Sequence, residues 1–247
     1  MTERSSPRPS PQQAAASLAP TGTLRVAINF GNVVLAQRGP DDEARGVTVE
    51  LAHEMARRLG LPLALVRFDA AGKVFDALER GAWDVAFMAI DPKRAAQMSF
   101  TAPYVFIEGT YLVRGDAPFV RCAEVDATDT RVGISRGSAY DLFLQRTLQH
   151  ARLLHADSPQ AAFELFAAGE VDALAAVRQP LMQYAASHPG LRVLDDAFMR
   201  IDQAIGVPKG REAGHLWLED FIAGAKADGL VAAALQRSGQ GSATVAP

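Results

Sequence analysis

The stretch Asp91 to Tyr104, DPKRAAQMSFTAPY, places Lys93 and Arg94 just behind a proline, directly after the apolar run WDVAFMAI. A chain that buries a strand and then presents cations at its mouth can hold an anion there. Arg94 is the better suited of the two: its guanidinium is a planar fork of donors that matches a carboxylate, is always charged, and costs less to desolvate than an ammonium. Both side chains could equally be solvated charges on a short helix. In RGSAYDLF, Gly137, Ser138 and Ala139 open a helix whose unpaired amides and positive end can face an anion, although Ser138 there is also an ordinary N-cap. Arg178 begins the segment RQPLMQYAASH, where a cation opposes the helix dipole. It either points to solvent or faces Arg94, in which case the two would grip a dianion or an extended carboxylate with a second acidic group.

Other chemistry finds little support. The five histidines, His53, His150, His155, His188 and His215, are scattered over separate elements with no metal-ligand spacing. There is no Gly-x-Ser-x-Gly elbow and no phosphate loop. Glu108 and Asp91 are the acids a catalytic reading would nominate, and neither sits in a catalytic motif. No metal and no cofactor is expected.

The elements that must position these residues alternate. TLRVAIN, PLALVRF and WDVAFMAI read as strands, and GVTVELAHEMARRLG as an amphipathic helix with Val47, Leu51, Met55 and Leu59 at four-residue steps and Gly60 as its stop. With KVFDALERG as a short helix the order is βαβαβ. The extended piece YVFIEGTYLVRG leads into a second set of strands and helices, RVGIS through QPLMQYAASH. A further extended piece, MRIDQAIGVPKG, and the helix EAGHLWLEDFIAGAKADG then return to the first. The expected fold is α/β and two-lobed, each lobe a sheet flanked by helices. The chain would cross twice, near Gly109 to Arg114 and near Gln203 to Val207, and two crossings make a hinge. The boundaries so drawn are 22–110 plus 207–239 for the first lobe and 111–206 for the second. Residues 1–21 and 240–247 are rich in Ser, Pro, Gln, Gly and Ala and read as flexible tails.

Composition narrows the partners. The 247 residues carry a formal net charge of -3 and no basic stripe, which argues against nucleic acid. One cysteine, Cys122, excludes an intramolecular disulfide. No stretch approaches the roughly 20 apolar residues of a membrane span. The N-terminal residues lack the apolar segment of a signal peptide, so export is not encoded in the residues shown.

Six stretches in order, LRVAIN, RGVTVELAHEMARRLG, LERGAWDVAFMAIDPKRAAQMSFTAPY, RVGISRGSAYDLF, AAFELFAAGEVDAL and GVPKG, make the chain similar to the extracytoplasmic solute-binding proteins of the polar amino-acid uptake type, family 3, which have the periplasmic binding protein type 2 or Venus-flytrap fold. The resemblance covers about Thr23 to Gly239, and its most specific element is DPKRAAQMSFTAPY. It implies that Arg94 binds the ligand's carboxylate with Lys93 outside, and that the loop Asn29 to Asn32 reaches the ligand through Asn29, Phe30 or Asn32, although Asn-Phe-Gly-Asn is also good turn chemistry. Phe100, Pro103 and Tyr104 pack the lobe instead.

The chain departs from that pattern in two places. Where amino-acid binders of this type carry hydroxyl side chains before the arginine, it has Ala86, Phe87 and Ala89. Where they carry an aspartate for the α-ammonium, it reads Val177-Arg178. A buried ammonium without a partner is costly, which disfavours a standard α-amino acid. Glu108 or Gln203 could supply another partner, which keeps amino acids open as a ligand class. The resemblance therefore implies a binding protein for a small anionic or zwitterionic solute, an amino acid or related organic acid or a dicarboxylate. It would be periplasmic, a monomer, and partnered by an ABC permease. The alternatives are a cyclohexadienyl-dehydratase-like enzyme and a cytoplasmic ligand sensor.

Overall fold

The computed structural model describes residues 8–247. In chain order its first elements are α1 (Pro11–Leu18), β1 (Leu24–Asn29), the short pair β2 (Gln37–Arg38) and β3 (Ala44–Arg45), α2 (Val47–Leu59), β4 (Leu63–Phe68), α3 (Ala71–Asp76), β5 (Val85–Ala89), α4 (Pro92–Ala95) and β6 (Met98–Phe100). There follow β7 (Val105–Arg114), β8 (Arg131–Ser135), α5 (Ala139–Thr147), β9 (Arg152–Ala156), α6 (Pro159–Ala167), β10 (Ala173–Val177), α7 (Arg178–Ser187) and β11 (Leu191–Val193). The chain ends with β12 (Met199–Pro208), α8 (Glu212–Ala227), α9 (Leu230–Arg237) and β13 (Thr244–Val245).

The strands pair in the order β4-β1-β5-β12-β7-β10-β8-β9, with β6 on β12 and with β11 and β13 on β7. Around β1 the pairing is parallel, with β4 on one side and β5 on the other. The same holds around β8, with β9 and β10. Between these two parallel groups runs a ribbon of two long strands: Val105 to Gly109 of β7 lie antiparallel to Met199 to Gln203 of β12. Past the ribbon, β7 continues against β10 in one lobe and β12 against β5 in the other. This is the α/β, two-lobed architecture expected from the sequence.

The local reasons are plain in the first lobe. Every residue of β5, Val85 to Ala89, is buried, as a strand covered on both faces requires. Helix α2 buries Val47, Leu51 and Met55 and ends at Gly60 in the left-handed conformation, which glycine adopts without a Cβ clash. Its outer face is charged, with Glu54 bridging Arg57 and Arg58.

Two expectations are corrected. The supposed N-terminal tail contains α1, which Ser10 and Gln13 close with a capping box and Pro11 starts. Composition concealed it because its anchor is tertiary: Leu18 packs on Gly214 of α8, Ser17 O accepts from Arg211, and Ser17 Oγ accepts from the Gly214 amide. The rest of that supposed tail, residues 1–7, lies outside the described residues. At the other end β13 pairs with β7 and Ala243 and Ala246 are buried, so residues 240–247 are tied down by a sheet edge rather than loose.

Candidate functional site

Arg94 is delivered to the cleft by a short turn of helix. Asp91 caps α4, its carboxylate accepting from the Lys93 amide at 2.8 Å, and Pro92 supplies a preset first helical position. Lys93 stays exposed while Arg94 turns inward and is 1% exposed. Arg94 Nη1 donates to Ala89 O at 2.9 Å, and Nη2 donates across the cleft to Gly137 O at 2.8 Å. Its Nε has no partner at all. Burial pushes the guanidinium down to about 10, with the Asp91 carboxylate working in the opposite direction; it remains a cation at neutral pH. A buried charged donor left unpaired is expensive, and a hydrogen-bond acceptor entering the cavity would satisfy it.

The cavity beside Arg94 has a volume of about 50 Å³. The first lobe contributes Asn29, Asn32, Thr48, Phe87 and Ala89, and the second Ser135, Ser138, Ala139, Tyr140 and Val177. The crossing strand β12 adds Ile201 and Gln203. Phe87 is held by an edge-on contact with Tyr104, ring centroids 5.8 Å apart. Asn29 Oδ1 accepts from the Gly31 amide and Thr48 Oγ1 donates to Leu35 O, which fixes both side chains. Asn32 Oδ1 is buried without a partner. Tyr140 is pushed up to about 12 by burial, against the hydroxyls of Ser138 and Ser135, so its phenol is neutral. Past Asn32, Tyr140 and Val177 the cavity meets an outer vestibule of about 460 Å³ flanked by Phe30, Arg38 and Phe163.

The turn before α5 works differently from the anion grip expected of it. Gly137, at φ 68°, donates its amide to Asp141 Oδ2 at 2.7 Å and offers its carbonyl to Arg94. Ser138 Oγ caps α5 by accepting from the Asp141 amide. Asp141 itself is fully buried and also meets His155 Nε2 at 2.8 Å. Ala139 and Tyr140 line the cavity and begin α5, in the first turn, where a helix supplies no internal acceptor for its amides.

Of the residues singled out in the sequence, the structure brings Asn29, Asn32, Phe87, Ala89, Arg94, Ser138 and Ala139 to one cavity. Phe30 stands in the vestibule, under the Arg38 guanidinium at 4.4 Å from its ring centre. Arg178 is a correction. Its guanidinium donates to Glu108 at 2.6 Å and to the carbonyls of Leu194, Asp195 and Asp196, so it staples α7 to the segment before β12 and does not face Arg94. That also occupies Glu108, which was nominated as an acid and as an ammonium partner. The other nominated acid, Asp91, is bound by Arg146 at 2.9 Å. Thr48 and Tyr140, which the sequence reading missed, carry no local signal: one lies in the first turn of α2 and the other inside α5, and only folding brings them together.

Residues 24–240 match the family described as bacterial extracellular solute-binding proteins, family 3. The chain belongs to that family. Among curated relatives, the L-cystine-binding protein TcyJ of Escherichia coli (strain K12) is 24% identical over 216 residues, covering 86% of this chain and 80% of the relative. Among solved structures, an amino-acid ABC transporter substrate-binding protein from Streptococcus pneumoniae bound to L-arginine superposes with a TM-score of 0.79 at 20% identity, over 94% of this chain and 99% of that one. An ancestral amino-acid-binding protein described as a precursor of cyclohexadienyl dehydratase gives 0.76 at 22% identity, over 90% of this chain and 98% of that one. At these identities the likeness is one of fold, the two-lobed type 2 periplasmic binding protein. No helix among the described residues is long and apolar enough to cross a membrane, and no described group of three or more His, Cys, Asp or Glu could hold a metal ion.

Proposed function

We propose that this family member captures a small carboxylate-bearing solute, an amino acid or related organic acid, in the cleft between its lobes. It serves as the extracytoplasmic binding component of an ABC-type uptake system. The lobes are residues 22–110 with 207–239 and residues 111–206, and the ribbon of β7 and β12 is the hinge. One observation carries the reading: a fully buried Arg94 with an unpaired Nε at the wall of a cavity that both lobes line. A ligand touching both walls favours the closed arrangement by its differential affinity for it, and a membrane permease reads that arrangement.

Two-arginine recognition of a dicarboxylate loses its support, because Arg178 is committed elsewhere. The test is a thermal-shift screen of amino acids, hydroxy acids and dicarboxylic acids. A ligand at a hundred times its dissociation constant adds about 2.7 kcal/mol to stability. A hit should disappear in Arg94→Ala; hits that survive that change remove the reading.

A further inference from the structure

Charge is distributed unevenly around the cleft. Arg94 is the only Asp, Glu, Lys, Arg or His among the described residues lining the inner cavity, and every other polar group there is neutral. The acids nearby face other partners. Asp91 lies behind Arg94 and is paired with Arg146. Asp141 is turned toward the Gly137 amide and His155. Asp69 lies out in the vestibule, half exposed and bridged to Lys73 at 2.9 Å. The end of β10, which could have brought an acid to the cavity, brings the apolar Val177. The cavity also presents one unpaired buried acceptor, Asn32 Oδ1, opposite in kind to the unpaired donor Arg94 Nε.

An α-ammonium lies within a few ångströms of its own carboxylate. With the carboxylate on Arg94, that ammonium would sit in the inner cavity beside a like charge and with no carboxylate of the protein to pair with it, which is unfavourable in a desolvated site. A hydroxyl in the same place donates to a neutral acceptor without bringing a charge. Resting on the reading that the cleft takes a carboxylate, we infer that the preferred ligand is a monocarboxylate whose second polar group is an uncharged donor, a 2-hydroxy acid, rather than the corresponding α-amino acid.

The test compares matched pairs on the full-length protein by calorimetry: glycolate with glycine, L-lactate with L-alanine, and L-2-hydroxy-4-methylpentanoate with L-leucine. The inference expects the hydroxy acid of at least one pair to bind at least tenfold more tightly than its amino acid, and expects Val177→Asp to reverse that order. Should the amino acid of every binding pair bind as tightly or more tightly, with binding still lost in Arg94→Ala, the inference is overturned and the carboxylate reading stands. If binding persists in Arg94→Ala, or no carboxylate of either series binds, both are overturned. The wild-type pairs decide the matter even if Val177→Asp fails to fold.

Discussion

Gly72 in α3 and Gly137 before α5 meet backbone to backbone across the cleft. A Cβ added at Gly137 would lie 2.7 Å from Gly72 Cα, and one added at Gly72 would lie 2.6 Å from Arg136 O. The closed arrangement therefore needs a residue without a side chain on each side of the gap, next to the place where Arg94 reaches Gly137 O.

Gly72→Ala should separate closure from folding. Gly72 does not require a left-handed backbone, and alanine in a helix is favoured over glycine by about 1 kcal/mol. The variant is expected to keep or slightly raise its unfolding midpoint while losing roughly tenfold or more in ligand affinity and giving a larger radius of gyration in the presence of ligand. Unchanged affinity would show that the lobes close without this contact.

The ion pair of Asp91 with Arg146 also spans the cleft, from a carboxylate 5% exposed to a guanidinium 47% exposed. Arg146→Ala leaves Asp91 buried with only the Lys93 amide. Closure, and with it affinity, should weaken by about 1–2 kcal/mol, on the order of tenfold, and the wild-type affinity should fall at high salt. Titration calorimetry at two salt concentrations measures both.

Acid and base titration test Arg94. Its folded pKa, about 10, lies below the ordinary value for an arginine, so the folded protein without ligand holds this proton less tightly than the unfolded chain does. The resulting penalty on stability is present below about 10 and is relieved as pH rises from there towards the ordinary arginine value. Carboxylate binding favours the charged form. Affinity should hold from about pH 6 to about pH 9 and decline as pH rises through the ligand-free pKa. A decline centred near neutrality would point to a different group.

Much of the fold was legible because its signals are local. The apolar run of β5, the four-residue steps of α2 and its Gly60 stop are properties of short windows. The cations after that buried strand stood out in the same way, but that Arg94 turns inward while Lys93 stays exposed was implied only by the family resemblance. Side-chain direction was not: whether Arg178 enters the cleft depends on how β10 turns into α7, and the carbonyls that claim it come from Leu194 to Asp196. The Gly137 amide was expected to face the ligand, but a carboxylate four residues later takes it.

Helix α1 shows the same limit from the other side. Its composition resembles a linker, yet Leu18 is fully buried against α8. Leu18→Ala should cost about 2–4 kcal/mol in denaturant unfolding, whereas a loose segment would tolerate the change with no measurable effect.

The central claim is that the Arg94 guanidinium grips the ligand's carboxylate, and the most direct measurement leaves the protein untouched. The affinity of the best carboxylate ligand is compared with that of its methyl ester on the wild-type chain. Removing the negative charge while Arg94 stays buried should weaken binding by about a hundredfold or more. An ester that binds within about twofold of the acid would contradict the account.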